Sequence, residues 1–267
     1  VFMMKDIMQA IRESRQEEKS TEQSYDYIKQ QLEFAKTAKG NGTCPKCHGL
    51  GLVPKVVETP YGEAIGYVQC ECAIKEANRN RLVKSGLISV IEKYTFEKYI
   101  VKEKWQAAVK TSATDYAENP KGWFFIGGQA GAGKTHICTA IVAELMEKGM
   151  SAKYMVWPNE AIQLKANKMN DEEYQRLIEP FQKEQVLYID DFLKTERGKA
   201  PTSSDIMTAF EILNYRYNNG LITVISSEKN INDILDYDGA LGSRIYEMSK
   251  EHINIIREDE ERNYRLR

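Results

Sequence analysis

The 267-residue chain has 42% hydrophobic and 28% charged residues and a formal net charge of −2. That length suits one full domain plus a smaller one, at roughly 150 residues per domain. The charge balance excludes a global basic field, so any nucleic-acid contact must come from a local patch, and no run approaches the ~20 apolar residues that span a bilayer.

The opening VFMMKDIMQAIRESRQ is too polar for a signal peptide, and the expected location is the cytoplasm. Residues 1–39 read as helical, with capping-box spacing in STEQ and a stripe of Tyr25, Ile28, Leu32 and Ala35 at helical spacing. KGNG ends that pattern. The stripe suits either docking on its own domain or binding a partner.

Two cysteine pairs follow, Cys44-x-x-Cys47 and Cys70-x-Cys72. Between them, LVPKVVETPYGEAIGYVQC reads as two short strands around a turn. Five cysteines in a cytosolic chain argue against a disulfide framework. Four thiolates from two knuckles suit one structural Zn²⁺, which supplies folding energy to a unit too small for a core. The second knuckle has one intervening residue, so His48 is an alternative ligand, and four unligated cysteines are the plainer reading. CPKCHGLG also fits one copy of the zinc repeat of DnaJ-type chaperones, here a shared knuckle turn. Cys138, in HICTAIVAELMEK, reads as a packing residue.

AIKEANRNRLVKSGL reads as a basic helix and YTFEKY as the start of a linking segment. From Gly122 onward, the runs WFFIGG, AKYMVW, VLYIDD, LITVISS and HINII alternate with helical patterns. Such alternation predicts a mostly parallel α/β sheet flanked by helices.

GQAGAGKT, residues 128–135, matches G-x-x-x-x-G-K-[ST] between a strand and a helix. Gly128, Gln129, Ala130, Gly131, Ala132, Gly133, Lys134, Thr135 and His136 are the candidate ATP-binding residues. Their backbone N–H groups converge on phosphate oxygens at a helix N-terminus. Lys134 reaches the β- and γ-phosphates, and Thr135 ligates Mg²⁺. VLYIDD ends in two carboxylates: Asp190 for the Mg²⁺ shell, and Asp191 to orient or polarise the attacking water, or else to cap a helix.

With GGQAGAGKTH, VLYIDDF, FEILNYRYNNGLITVISSE and LGSRIYEM on the page, the region from about Lys93 onward resembles the AAA+ ATPases of the DnaC/DnaI helicase-loader family, related to the IstB transposition helpers. The cysteine-knuckle region resembles the zinc-containing N-terminal domain of DnaI-type loaders, including those of phages and prophages. The resemblance implies an AAA+ P-loop NTPase over 93–267, preceded by a small helical and zinc-binding domain over 1–92. It implies a first sensor at Ser227, where the family's Thr-Ser-Asn or Ser-Ser-Asn reads Ser226-Ser227-Glu228. An anionic Glu228 beside a γ-phosphate is electrostatically awkward, so either Glu228 turns away or sensing falls to Ser227. It implies an arginine finger at Arg244, acting on a neighbouring subunit's ATP; a local salt bridge to Glu247 or Asp238 is the alternative. Arg216 reads as a second interface or phosphate-sensing residue. Lys165, Lys168, Lys194, Arg197 and Lys199 are either single-strand phosphate contacts or a solvated charged face.

The implied function is ATP-dependent loading of a hexameric replicative helicase onto single-stranded DNA, with ATP, Mg²⁺ and Zn²⁺ as cofactors and self-association in the loader–helicase complex. The rivals are an IstB-like transposition ATPase, a P-loop kinase and a non-catalytic adaptor.

Overall fold

The computed structural model describes residues 44–59, 62–85, 91, 93–196, 199–259 and 262–264. The helical reading of residues 1–39 lies outside the described residues. By backbone contacts the chain divides into two compact units, Val1–Ile74 and Lys75–Arg267.

In the first unit, β1 (Leu52–Thr59) pairs antiparallel with β2 (Gly62–Gln69), in a register running from Leu52↔Gln69 to Thr59↔Gly62. The two strands expected between the cysteine pairs are therefore present. The hairpin has almost no core of its own. Val56, Val57, Tyr67 and Val68 are exposed, and of the residues whose burial is described in this unit, only Cys47 and Cys70 are buried. Helix α1 (Glu71–Ser85) starts directly after Cys70.

The second unit is built on five parallel strands: β3 (Trp123–Gly128), β4 (Ala152–Val156), β5 (Val186–Asp190), β6 (Ile222–Ser226) and β7 (Ile253–Ile256). Their order across the sheet is β4-β5-β6-β3-β7, all neighbours parallel. β6 therefore lies between β3, which feeds the phosphate loop, and β5, which ends in the acidic pair.

Helices cover both faces, and the two-residue period of the strands sorts their side chains between them. On one face Phe124, Ile126, Val186 and Tyr188 pack with α2 (Lys104–Glu118) and α3 (Lys134–Glu147), through Ala113, Tyr116, Ile137 and Ile141. On the other, Trp123, Phe125, Leu187 and Ile189 pack with α4 (Trp157–Ala166), α5 (Asp171–Lys183), α6 (Ser203–Asn218), α7 (Ile231–Tyr237) and α8 (Gly239–Ser249). Both residues of each strand pair are buried, which is why these strands read as continuous apolar runs. Cys138 is fully buried on α3, and burial pushes its thiol well up.

Side-chain caps fix several helix starts. Thr202 and Asp205 form a capping box on α6, and Asn230 and Asp233 form one on α7. Asp238 caps α8 by accepting from Leu241 N at 2.7 Å. The fully buried Arg216 staples α6 to its surroundings. It donates to Thr223 Oγ1 at 2.9 Å and to the carbonyls of Phe181, Gln182 and Glu184 at 3.2, 3.1 and 2.8 Å. Burial pulls its guanidinium down to about 10. Arg216 is therefore a structural clamp, contrary to the expectation of an interface or phosphate-sensing role. A cation with this many protein acceptors around it has no surface to present.

Candidate nucleotide site and cysteine cluster

The phosphate loop leaves β3 at Gly128, whose φ is +104°; a Cβ there would meet Ile256 O at 2.0 Å. Only glycine fits so close a backbone approach. Gly133, with φ +86°, stands at the N-cap position of α3 without a side-chain cap. The first amides of α3 thus have no side-chain acceptor from the cap residue, which suits an anion.

Lys134 is 7% exposed and donates to Gly128 O and Gln129 O, both at 2.7 Å. Burial lowers its ammonium, while Glu228 and Asp191 pull the other way. Thr135 Oγ1 donates to Asp190 Oδ1 at 3.2 Å. That separation is close to the ~2.9 Å expected between adjacent ligands of an octahedral ion with bonds of about 2.0–2.1 Å, so the pair fits Mg²⁺. Asp190 is held from three elements. Tyr154 OH on β4 donates to Oδ2 at 2.9 Å, Ser226 Oγ on β6 donates a short bond to Oδ1, and Thr135 reaches it from α3. The bonds from Tyr154 and Ser226 fix the carboxylate's orientation.

The residues after β5 form a tight turn. Asp191 and Leu193 both have φ +53°, in the left-handed region. For a leucine this is a strained conformation, which persists only when the surroundings dictate it. They do: Phe192 and Leu193 are fully buried, Phe192 N donates to Ser226 O at 2.8 Å, and Lys194 N donates to Asp191 O at 3.0 Å. With Phe192 and Leu193 plugged into the core, Asp191 and Lys194 both face the cavity beside the phosphate loop.

That cavity, of about 210 Å³, is lined by Gly131, Lys134, Thr135, Asp191, Lys194 and Glu228, with Tyr94, His136 and Tyr264 at its rim. An adjoining, largely apolar cavity of about 230 Å³ shares the loop and is lined by Tyr99, Ile100 and Ala132. His136 stacks on Tyr94 with centroids 4.8 Å apart, and its Nε2 lies 2.8 Å from Thr95 O. Burial lowers the His136 imidazole. Tyr264 N donates to Gly131 O at 3.1 Å, and its hydroxyl accepts from Gln106 Nε2 at 2.6 Å.

The sensor position differs from its sequence expectation. Ser227 is fully buried; its hydroxyl donates to Phe192 O at 2.7 Å and accepts from Lys229 N at 3.0 Å. Glu228 lines the cavity instead. Lys194 neutralises it at 3.2 Å while bonding Asp191 Oδ2 at 2.9 Å.

Arg244 does not line this cavity. Its guanidinium lies 5.0 Å from the Phe210 ring centroid and 5.4 Å from that of Tyr217, and Nη1 donates to Ala240 O at 2.9 Å. No ion pair holds it among the described residues. The local alternatives are engaged elsewhere: Glu247 accepts from Tyr217 OH, and Asp238 caps α8. Of the candidate DNA-contacting cations, Lys165 pairs with Asp205 at 2.6 Å, Lys199 pairs with Glu196, and Lys194 belongs to the nucleotide cavity. Arg197 lies outside the described residues. Tyr94, Lys194 and Tyr264 are the site residues the sequence did not single out for this cavity.

In the first unit, the sulfurs of Cys44, Cys47, Cys70 and Cys72 all lie within 4.8 Å of one another. The hairpin creates this meeting: Leu52 pairs with Gln69, and Cys70 N donates to Gly51 O at 2.8 Å, which brings the knuckles together. The one-residue spacing works because Cys70 O accepts from Ala73 N and Ile74 N at the start of α1, which places Cys72 in its first turn. The Cys47–Cys72 and Cys44–Cys70 sulfurs are 3.3 and 3.8 Å apart, too far for disulfides and close to the ~3.8 Å edge of a tetrahedron with Zn–S bonds of about 2.3 Å. Gly51 N donates to Cys47 Sγ at 3.3 Å, a bond that favours thiolate. The hydrogen bond between Cys47 and Cys72 pulls Cys47 down to about 6 and pushes Cys72 up to about 12. His48, with φ +51°, stands outside the cluster. The donor set fits one tetrahedral zinc ion.

The family model of the bacterial DnaA ATPase domain matches residues 90–249. The protein YqaM of Bacillus subtilis (strain 168) is 34% identical over 212 residues, 74% of this chain and 66% of YqaM, just under two thirds of its length. The phage-like element PBSX protein XkdC of the same organism is 30% identical over 204 residues, 72% of this chain and 75% of XkdC. Among solved structures, the DnaC helicase loader superposes with a TM-score of 0.53 at 21% identity, over 62% of this chain and 98% of that one. The replication initiator DnaA bound to AMPPCP and single-stranded DNA gives 0.51 at 22%, over 62% and 50%. The ATPase unit thus has the AAA+ fold expected from the resemblance to DnaC and DnaI. No helix among the described residues is long and apolar enough to cross a membrane.

Proposed function

Because the chain belongs to the family of the bacterial DnaA ATPase domain, a replication-related group of AAA+ ATPases, we propose that it is an ATP-dependent loader of a replicative helicase onto single-stranded DNA. The observation that carries this reading is the convergence of Lys134 and Thr135, from the start of α3, and Asp191, from the end of β5, around one cavity, with Asp190 bonded to Thr135 behind them. A site this complete argues for turnover and against a purely structural adaptor.

Each group has a role in that reading. The loop amides and Lys134 hold the phosphates, and Thr135 and Asp190 hold Mg²⁺. A bound Mg²⁺ supplies charge neutralisation at the β- and γ-phosphates. Asp191 orients and polarises the attacking water. Arg244, held away from its own cavity by Phe210 and Tyr217, serves the site of a neighbouring copy. The apolar cavity along Tyr99, Ile100 and Ala132 suits the base. Cys44, Cys47, Cys70 and Cys72 hold one structural Zn²⁺, and residues 1–92 dock the hexameric helicase while residues 93–267 hydrolyse ATP. Likeness to the phage-like XkdC supports a place in phage or prophage replication in the cytoplasm.

The test is deposition. Protein with ATP and Mg²⁺ is mixed with the replicative helicase of its host and single-stranded DNA, and helicase retained on DNA is measured. Retention above the loader-free level is expected, steeply reduced by added salt. If the protein hydrolyses ATP yet neither binds nor deposits the helicase, the loader assignment fails while the ATPase assignment stands.

A further inference from the structure

We propose that Lys194 is the γ-phosphate contact of this site and that, with Glu228, it replaces the hydroxyl sensor that Ser227 does not supply; this rests on the reading of the cavity as an ATP site. Three observations converge. Ser227's hydroxyl is buried, donates to Phe192 O and accepts from Lys229 N, so it has no free hydrogen for a phosphate. Asp191, Lys194 and Glu228 all line the cavity with Lys134 and Thr135, and each is about one-third exposed. The Lys194 ammonium sits between the two carboxylates, 2.9 Å from Asp191 Oδ2 and 3.2 Å from Glu228 Oε1.

An ammonium has three N–H donors on a rotatable stem. Two serve Asp191 and Glu228, and the third is available to a phosphate oxygen without loss of either bond. The charges make this contact necessary for ATP and less so for ADP. The cavity-lining pairs Lys134 with Asp191 and Lys194 with Glu228 sum to zero. Removing Lys194 leaves a net charge of −1 and takes from Asp191 and Glu228 the ammonium they share, where the terminal phosphate must sit. The phosphates that ADP also carries have the loop amides and Lys134.

The turn built by Phe192 and Leu193 fixes Lys194 for this task. A surface lysine three residues after an acid could pair with it in many rotamers. Here the backbone of Phe192, two residues before Lys194, is anchored through both its N–H and its carbonyl, by Phe192 N on Ser226 O at the end of β6 and by Ser227 Oγ on Phe192 O. The awkward Glu228 then has a purpose: it holds the ammonium in the cavity, at the cost of repelling the γ-phosphate. Lys194 thereby couples the nucleotide's length to the water-polarising Asp191.

The experiment measures equilibrium binding of ADP and of the non-hydrolysable analogue AMPPCP, with Mg²⁺, to the full chain and to Lys194→Met, Lys194→Arg, Glu228→Gln and the Lys194→Met/Glu228→Gln double variant. A terminal charge contact in a half-exposed site predicts that Lys194→Met weakens AMPPCP by about tenfold and ADP by no more than about twofold. Lys194→Arg keeps the discrimination. Glu228→Gln strengthens AMPPCP, and the double variant recovers part of the loss because one repelling carboxylate is gone. ADP affinity itself reports that each variant is folded. Equal losses for both nucleotides, the signature of a merely structural ion pair, overturn the proposal, as does an unchanged AMPPCP affinity. If wild-type protein binds neither nucleotide, the ATP-site reading falls and the proposal with it.

Discussion

Ser227 Oγ donates to the Phe192 carbonyl at 2.7 Å, tying the end of β6 to the strained turn that follows β5. Both groups are fully buried. Ser227→Ala therefore strands the buried Phe192 carbonyl without its donor, at a cost of about 1–3 kcal/mol. The free energy of unfolding should fall by that amount, and hydrolysis should drop more than ADP binding because Asp191 loses its fixed position. A variant with wild-type stability would show that the turn holds without this bond.

In the proposed reading Lys134 and Asp191 act on different steps of the same site. Lys134→Ala removes the buried ammonium beside the loop carbonyls and should weaken binding of both nucleotides. Asp191→Asn keeps the side-chain volume and should retain binding while turnover falls by about a hundredfold or more, as for loss of a general base or water-orienting group. The Lys194 ammonium then keeps Glu228 as its remaining anionic partner in the cavity, so folding should be little affected. Wild-type turnover in Asp191→Asn rules out the water-polarising role.

Much of this site could be read from the sequence because its parts are local. The phosphate loop is one contiguous stretch whose glycines meet a backbone requirement, and each buried strand announces itself as an apolar run. Asp190 and Asp191 sit at the end of such a run. Lys194 was hidden because its position depends on two left-handed residues, Asp191 and Leu193, and neither residue type announces that conformation. By ordinary reading it belonged to a charged loop. Arg216 misled for a related reason: its burial depends on carbonyls contributed by Phe181, Gln182 and Glu184, more than thirty residues away. Tyr264 is set against the loop by a tertiary bond to Gly131 O, from a tail of mixed charge.

The two arginines of this region should separate cleanly. Arg216→Ala leaves carbonyls at the end of α5 without their donor, and a loss of about 3–5 kcal/mol is expected for breaking a buried charged network. Arg244→Ala removes a half-buried side chain stacked on Phe210 and Tyr217, so stability should change by about 1 kcal/mol at most. Its effect should instead appear in assembly. Mixing Arg244→Ala with Lys134→Ala subunits should restore some hydrolysis, since an intact finger can then meet an intact loop. If both mutants fold and assemble yet no mixing ratio restores activity, Arg244 does not act across subunits.

The cysteine cluster should carry one zinc ion per chain, and the hairpin should depend on it. In the described part of this unit only Cys47 and Cys70 are buried, so apolar burial contributes little there. Four thiolates around one cation would replace the missing core. Metal analysis of protein purified without chelators should give about one zinc per chain, the stoichiometry of a closed four-cysteine site. Removing the ion with a strong chelator should increase amide exchange across Leu52–Thr59 and Gly62–Gln69 while protection of β3, β5 and β6 is retained. Cys70→Ser should do the same without chelator, because it removes one of the four clustered sulfurs while leaving the backbone carbonyl that starts α1 in place. Raised ionic strength should not reproduce the effect, since the Lys46–Glu71 pair across the knuckles is exposed and screened by solvent. Zinc-free protein with an unchanged exchange pattern would mean that the hairpin, not the metal, holds the four sulfurs together.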